Sequence, residues 1–188
     1  MENREKILEC AARLFAERGY DAVGVQEIAE GAGIKKPTLY HYFGSKEGLL
    51  CTLLAESFAP LFEKLTVASE YNRDVISTLE RIAGVYFEFA RQNPLLYRMQ
   101  LMMWFTPTGS DAFAAVAALN ERQQEMMEAF FLCASQDHGN MKGRQRAYAA
   151  TFLGMVNTYA SLGLNGMAEL DNELTHTAVH QFMHGIFS

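Results

Sequence analysis

The sequence predicts an all-α fold of about nine helices, and three observations carry that prediction. Apolar residues recur at three- and four-residue intervals over most of the chain. Gly19, Gly31, Gly33 and Gly44 punctuate the early part of that pattern, as glycines do at helix ends. No segment alternates apolar and polar residues as a half-buried strand would, and there is no internal repeat or low-complexity stretch.

Taken in order, Ile7, Leu8, Ala11, Leu14 and Phe15 form one face of a first helix that Gly19 ends, with Arg4, Glu5, Glu9, Arg13 and Glu17 largely opposite. A second runs over about 25–30 and stops at Gly31-Ala32-Gly33. The third begins near Lys35. Pro37 lies in its first turn, where a missing N–H has no helical partner to lose, and Gly44 closes it. Ser45 is the expected N-cap of a long fourth helix starting at Lys46, kinked at Pro60. Asp74 caps a fifth, which ends at Asn93-Pro94 because the residue before proline avoids helical geometry. A sixth covers 94–105, residues 106–110 form a loop, and a seventh spans 111–135. Beyond a polar, glycine-bearing stretch at 136–143, an eighth is expected over 144–163 and a ninth over 171–188.

Composition narrows the function. Formal net charge is −6 over 188 residues, which does not by itself suggest a polyanion partner. The acids are unevenly spread: residues 1–50 hold seven Lys/Arg against eight Asp/Glu, and residues 51–188 hold nine against fourteen. Lys35, Lys36 and Lys46 lie within twelve residues that contain no acid. Local potential at a contacting face, not whole-molecule charge, decides nucleic-acid binding. Three cysteines with no close pair fit a reducing compartment. No apolar signal core follows the charged N-terminus, and no apolar run reaches the ~18 residues of a membrane span, so a cytoplasmic protein is expected. Residues 51–188 contain no GxSxG, no HExxH and no phosphate-binding glycine loop. Neither catalysis nor a cofactor is expected.

Two short helices joined by a glycine turn are the minimum of a helix-turn-helix. Val25, Ile28 and Ala29 supply the apolar side of the first, Gly33 a position open to positive φ, and Ile34 and Leu39 the inward lock. With Leu39 and Phe43 assigned to the core, Lys36, Thr38, Tyr40, His41 and Tyr42 remain outside. A recognition helix offers such residues to base edges, thymine methyls and phosphates. Lys35 and Lys36 stand at the positive end of a helix dipole, which disfavours cations by roughly 0.3–1 kcal/mol, and fit a helix whose start meets phosphate.

Phe15 through Gly19-Tyr20, then Val25-Gln26-Glu27-Ile28-Ala29-Glu30-Gly31-Ala32-Gly33-Ile34, then Pro37-Thr38-Leu39-Tyr40-His41-Tyr42-Phe43-Gly44-Ser45-Lys46-Glu47 resembles the tetracycline-repressor (TetR) family. The resemblance covers roughly residues 4–50. It implies a helix-turn-helix DNA-binding domain over 1–45 and a helical effector-binding and dimerisation domain over 46–188. By matching positions it sets Gln26, Lys36, Thr38, Tyr40 and Tyr42 against DNA and Lys46 on a phosphate. The chain departs from the family at Val23 and Gly24, where Thr or Ser is usual. It departs again at Gly48, where a Glu would complete a capping box with Ser45. The entrance to the second helix therefore lacks a side-chain phosphate donor.

In the C-terminal part aromatic and methionine residues concentrate, and most of them are core. Leu101-Met102-Met103-Trp104-Phe105, however, holds more large apolar side chains than one helix face can bury. Methionine suits adaptable cavities. Because the resemblance implies a small-molecule pocket, an apolar one is expected around Trp104 with Met103, Phe105 and Phe130, and Tyr86, Asn157 and Tyr159 as polar contacts. Helices eight and nine are expected to form a homodimer. The first would use Ala149, Ala150, Phe152, Leu153, Val156 and Ala160, the second Leu174, Ala178, Phe182 and Ile186. Such a dimer offers two recognition helices to half-sites about one DNA turn (~34–36 Å) apart or somewhat more. His176, His180 and His184 share a helix face at metal-compatible spacing. They lie opposite the apolar stripe, with no acid or cysteine that improves a metal site, and a solvated face is the expectation. The function expected is a homodimeric repressor released from a pseudo-palindromic operator by a small apolar effector. A helical ligand-binding protein or enzyme that keeps the N-terminal helices as scaffold is the alternative.

Overall fold

A computed structural model describes residues 2–185. Among these the chain forms α1 (Asn3–Arg18), α2 (Val25–Gly31), α3 (Lys36–Phe43), α4 (Lys46–Ala68), α5 (Val75–Gln92), α6 (Pro94–Trp104), α7 (Asp111–Ala134), α8 (Gln145–Leu164) and α9 (Asn172–His184). A single 3-10 turn lies at Gly139–Met141, and no strand occurs among the described residues. The all-α expectation holds; the ninth helix, read over 171–188, ends at His184, and residues 186–188 lie outside the described ones.

The ends are set by local chemistry. Gly19 stops α1 at φ 81°, its N–H donating to the Phe15 carbonyl at 2.9 Å. Gly44 does the same for α3 at φ 71°. Such backbone angles cost a side-chain-bearing residue but not glycine. Ser45 Oγ accepts the Gly48 N–H at 2.9 Å, Asp74 Oδ1 accepts that of Ser77 at 2.9 Å, and Asp171 Oδ1 accepts that of Leu174 at 2.8 Å. Each cap satisfies a first-turn donor that the helix leaves unpaired.

The chain divides into two compact units, and neither is a continuous segment. The first joins residues 1–59 to 95–119; the second joins 60–94 to the chain from 120 onward. Pro60, inside α4, marks one of the crossings. In the first unit Ile7, Phe15, Ile28, Leu39 and Leu50 are fully or almost fully buried. In the second, α8 and α9 pack on α5, which buries nine of its eighteen residues. Burial of a large apolar side chain contributes about 1.5–3 kcal/mol each.

The second unit corrects one expectation. Ala149, Phe152, Val156 and Ala160 of α8 and Ala178 of α9 are completely buried inside the protomer. Phe182 is half-buried, with its ring 5.4 Å from that of Phe152 and 6.3 Å from that of Phe131. The apolar stripes read as a dimer seam are therefore largely the protomer's own core. A three-helix packing of α5, α8 and α9 uses the same periodicity as an intersubunit seam, so the pattern alone could not separate them. Ile186, the last member of the α9 stripe, lies outside the described residues.

Candidate nucleic-acid interface

The helix-turn-helix is built from the inside out. Ile28, Ala29 and Leu39 are buried, and Gly33 turns the chain at φ 67°. The Ile34 N–H then returns to the Ala29 carbonyl at 2.9 Å. Lys35 is the N-cap of α3, and its carbonyl accepts the Thr38 N–H at 2.9 Å.

That frame leaves Lys35, Lys36, Tyr40, His41 and Tyr42 exposed, with Thr38 half-buried. Tyr40 and Tyr42 are each 42% exposed, which excludes a core role within the protomer. Their neighbours are basic or aromatic: Lys36 Nζ lies 5.8 Å from the Tyr40 ring centre, and the His41 ring 5.5 Å from that of Tyr42. Gln26 is exposed on α2 but donates to Glu30 at 2.7 Å, so it must leave that partner to reach a base or phosphate. Glu27, the other acid on α2, is ion-paired with Arg18, and Arg18 also donates to the Ala22 carbonyl at 3.3 Å.

The departures at Val23, Gly24 and Gly48 have structural reasons. Val23 is 1% exposed and belongs to the core of the first unit. Gly24 caps α2 with extended backbone and no side-chain bond. A Cβ at Gly48 would collide with the Phe43 carbonyl oxygen. The chain passes so close here that a Glu could not occupy the position without moving backbone.

Lys46 is half-buried rather than free. Its ammonium stands 4.0 Å above the Tyr20 ring, and the Tyr20 hydroxyl donates to Asp111 Oδ2 at 3.4 Å. Burial lowers the Lys46 pKa against the opposite pull of Asp21 and Asp111. Burial, with Asp111 next, raises that of Tyr20.

Comparison with known proteins decides the family. Residues 7–51 match the family described as bacterial regulatory proteins, tetR family. The transcriptional activator FasR of Mycolicibacterium smegmatis is 28% identical over 98% of this chain and 82% of its own length. This chain belongs to the tetR family. Its members are DNA-binding regulators and not enzymes, and the chain is a transcriptional regulator. The repressor KstR2 of Mycobacterium tuberculosis is 40% identical over 87 residues, 44% of this chain and 40% of KstR2. The structure of AibR in complex with isovaleryl coenzyme A and operator DNA matches with a TM-score of 0.72 at 25% identity, over 99% of this chain and all of that one.

In this tetR-family chain the six residues expected around an apolar pocket are divided between the two units. Met103, Trp104 and Phe105 belong to the first; Tyr86, Phe130 and Asn157 belong to the second. Trp104 stacks on Phe113 at 5.3 Å and is 43% exposed, whereas Phe105 is 84% exposed. Tyr86, Phe130 and Met103 are buried, and Asn157 is half-buried. Met103 lines a cleft of about 260 Å³ in the first unit, with Phe15, Tyr20, Met99 and Met102. A cavity of about 800 Å³ in the second unit is lined by Val75, Phe131, Met141, Tyr148 and Phe182 among others, and by none of the six.

The histidine face is exposed, as expected: His176, His180 and His184 all face solvent. His176 Nδ1 lies 2.7 Å from Glu80 Oε1, so an acid does stand beside it. Glu80 is ninety-six residues away on α5, beyond the reach of any spacing argument along α9. The His180 and His184 rings are 4.6 Å apart, and among the described residues no group of three or more potential ligands gathers for a metal. Sequence reasoning also missed Tyr20 and Asp111. Tyr20 stood inside the matched run, but nothing in the sequence connects it to a residue ninety-one positions on.

Proposed function

We propose that this regulator is a homodimeric repressor that reads a pseudo-palindromic operator with α3 and leaves it when a small, largely apolar effector binds its C-terminal helices. In this reading residues 1–45 grip DNA and 46–188 bind the effector and the second subunit, in the cytoplasm. No helix among the described residues is long and apolar enough to cross a membrane. The observation that carries the DNA contact is the exposed Tyr40–Tyr42 face, with Thr38 beside it, on a helix whose N-cap and first residue are lysines and which bears no acid. Thr38, Tyr40 and Tyr42 meet base edges, Lys35, Lys36 and Lys46 meet phosphates, and Gln26 contacts the groove edge from α2. Both signs occur among the relatives, KstR2 being a repressor and FasR an activator.

For the effector, the complex of AibR with isovaleryl coenzyme A makes an acyl thioester the compound to test first, its acyl chain supplying the apolar part. Release requires that the effector bind the DNA-incompetent arrangement more tightly than the competent one. The six residues Tyr86, Met103, Trp104, Phe105, Phe130 and Asn157 are the positions to vary.

The dimer uses the faces of α8 and α9 that the protomer leaves exposed. On α8 these include Ala147, Ala150, Thr151, Gly154 and Thr158, small residues that permit close approach of a second helix.

A labelled duplex selected by the protein from a random-sequence library tests the grip by fluorescence anisotropy. The combined Thr38→Ala, Tyr42→Ala and Lys46→Ala variant loses affinity at least about a hundredfold if these are base and phosphate contacts. Unchanged affinity removes the assignment.

A further inference from the structure

We propose that Tyr20 is a seat that positions Lys46 for the DNA backbone, and that Asp111 at the start of α7 governs how firmly the seat holds. The proposal rests on the reading of Lys46 as a phosphate contact. All three residues belong to the first compact unit, although Asp111 is brought there from far along the chain.

Tyr20 is 6% exposed, and its ring is fixed on one side by Phe15, 5.2 Å away and tilted at 57°. The Lys46 ammonium at 4.0 Å from the ring centre is well inside the roughly 6 Å over which a ring face attracts a cation. A ring face attracts the ammonium as a whole and does not bind its N–H groups one by one as a carboxylate would. Donors directed away from the ring stay available to a phosphate oxygen. The flexible four-carbon stem is thereby held near one geometry before DNA arrives.

Asp111 acts through the phenol. By accepting a hydrogen bond from the O–H, the carboxylate draws negative character into the ring and strengthens its hold on a cation. As the first residue of α7, Asp111 is anchored to that helix start, where a carboxylate is favoured by the dipole. The bond is long, at 3.4 Å, and the cleft of about 260 Å³ beside Tyr20, walled by Met99, Met102 and Met103 with Ala112, leaves room for the α6–α7 corner to shift. A displacement of that corner breaks the Tyr20–Asp111 bond before it disturbs the buried frame of α2 and α3. Effector-driven movement of α7 would thus reach a DNA-contacting cation through two side chains.

The test is anisotropy with the library-selected duplex at several salt concentrations, for wild type, Lys46→Ala, Tyr20→Leu, Asp111→Asn and the two double variants with Lys46→Ala. Tyr20→Leu is expected to weaken binding about threefold to tenfold and to lower the salt slope by about one, as Lys46→Ala does. In the Lys46→Ala background it adds nothing. Asp111→Asn leaves the buried ring in place and keeps the proposal testable if Tyr20→Leu fails to fold. It weakens binding by about twofold or more, again only when Lys46 is present. Effects of Tyr20→Leu or Asp111→Asn that multiply with Lys46→Ala, or that tighten binding, overturn the seat while leaving the phosphate contact standing. A Lys46→Ala variant with unchanged affinity and slope overturns the phosphate contact itself, and the seat with it.

Discussion

Arg4 and Glu56, fifty-two residues apart, form a two-pronged ion pair in which Nη1 donates to one carboxylate oxygen at 3.0 Å and Nη2 to the other. The pair ties the first turn of α1 to α4, and the Arg4 guanidinium also lies 5.6 Å from the Phe43 ring centre at the end of the recognition helix. The Arg4 guanidinium holds the Glu56 carboxyl below the usual carboxylate range. A carboxylate whose pKa is depressed on folding contributes stability above its unfolded value of about 4.3, and that contribution is lost as the pH falls through the folded value. Glu56→Gln is therefore expected to lower the melting temperature by about one to three degrees at pH 7. The difference from wild type should shrink toward zero below about pH 4. Calorimetry across pH 3–8 checks this, and a constant difference would remove the electrostatic explanation.

Gly48 is required by the backbone rather than by chain flexibility. Gly48→Ala forces a methyl against the Phe43 carbonyl oxygen, and the first turn of α4 must shift to accept it. A loss of about 1–3 kcal/mol in denaturant titration is expected. The larger Gly48→Glu, which would supply the family's capping-box residue, is expected to be worse and not better.

For the dimer, Gly154 gives a clean probe. A Cβ there meets nothing within 4 Å in the protomer, so Gly154→Arg should leave the folded protomer intact. Sedimentation equilibrium should then show a monomer for the variant and a dimer for wild type. Operator affinity should fall with the dimer, because two linked half-site contacts become one. A variant that stays dimeric moves the interface off this face of α8.

Trp104 is the chain's only tryptophan and is partly solvent-exposed, stacked on Phe113. Titration with isovaleryl coenzyme A, read by its emission, should show a saturable shift if the effector contacts the α6–α7 corner. Binding seen by calorimetry with no change in emission would place the effector away from Trp104.

How much of this could be read from the chain itself depended on range. Gly19, Gly44, Ser45, Asp74 and Asp171 announce helix ends because a cap is a contact between residues three or four apart. The outward set on α3 was legible for the same reason: two inward residues, Leu39 and Phe43, fix the rotation of a helix of eight. What stayed hidden are relations between distant segments with no periodic signature, namely Tyr20 with Asp111 and His176 with Glu80. The apolar stripes of α8 and α9 were visible but ambiguous, since a helix buried in its own protomer and one buried against a partner show the same spacing. Trp104 was expected to centre a pocket because its neighbours are all large and apolar. The helix end was legible, but nothing in the spacing tells that Phe105 is left in solvent.

The discontinuous make-up of the first compact unit bears on how the protein is made. Residues 1–59 leave the ribosome well before 95–119, so the DNA-binding helices wait through at least thirty-five further residues for the α6–α7 corner that completes their core. At about 5–20 residues per second, that is an interval of several seconds in which Phe15, Tyr20 and their apolar neighbours lack their final cover. Until synthesis has passed the start of α7, Tyr20 has no Asp111 to bond and the first compact unit is incomplete.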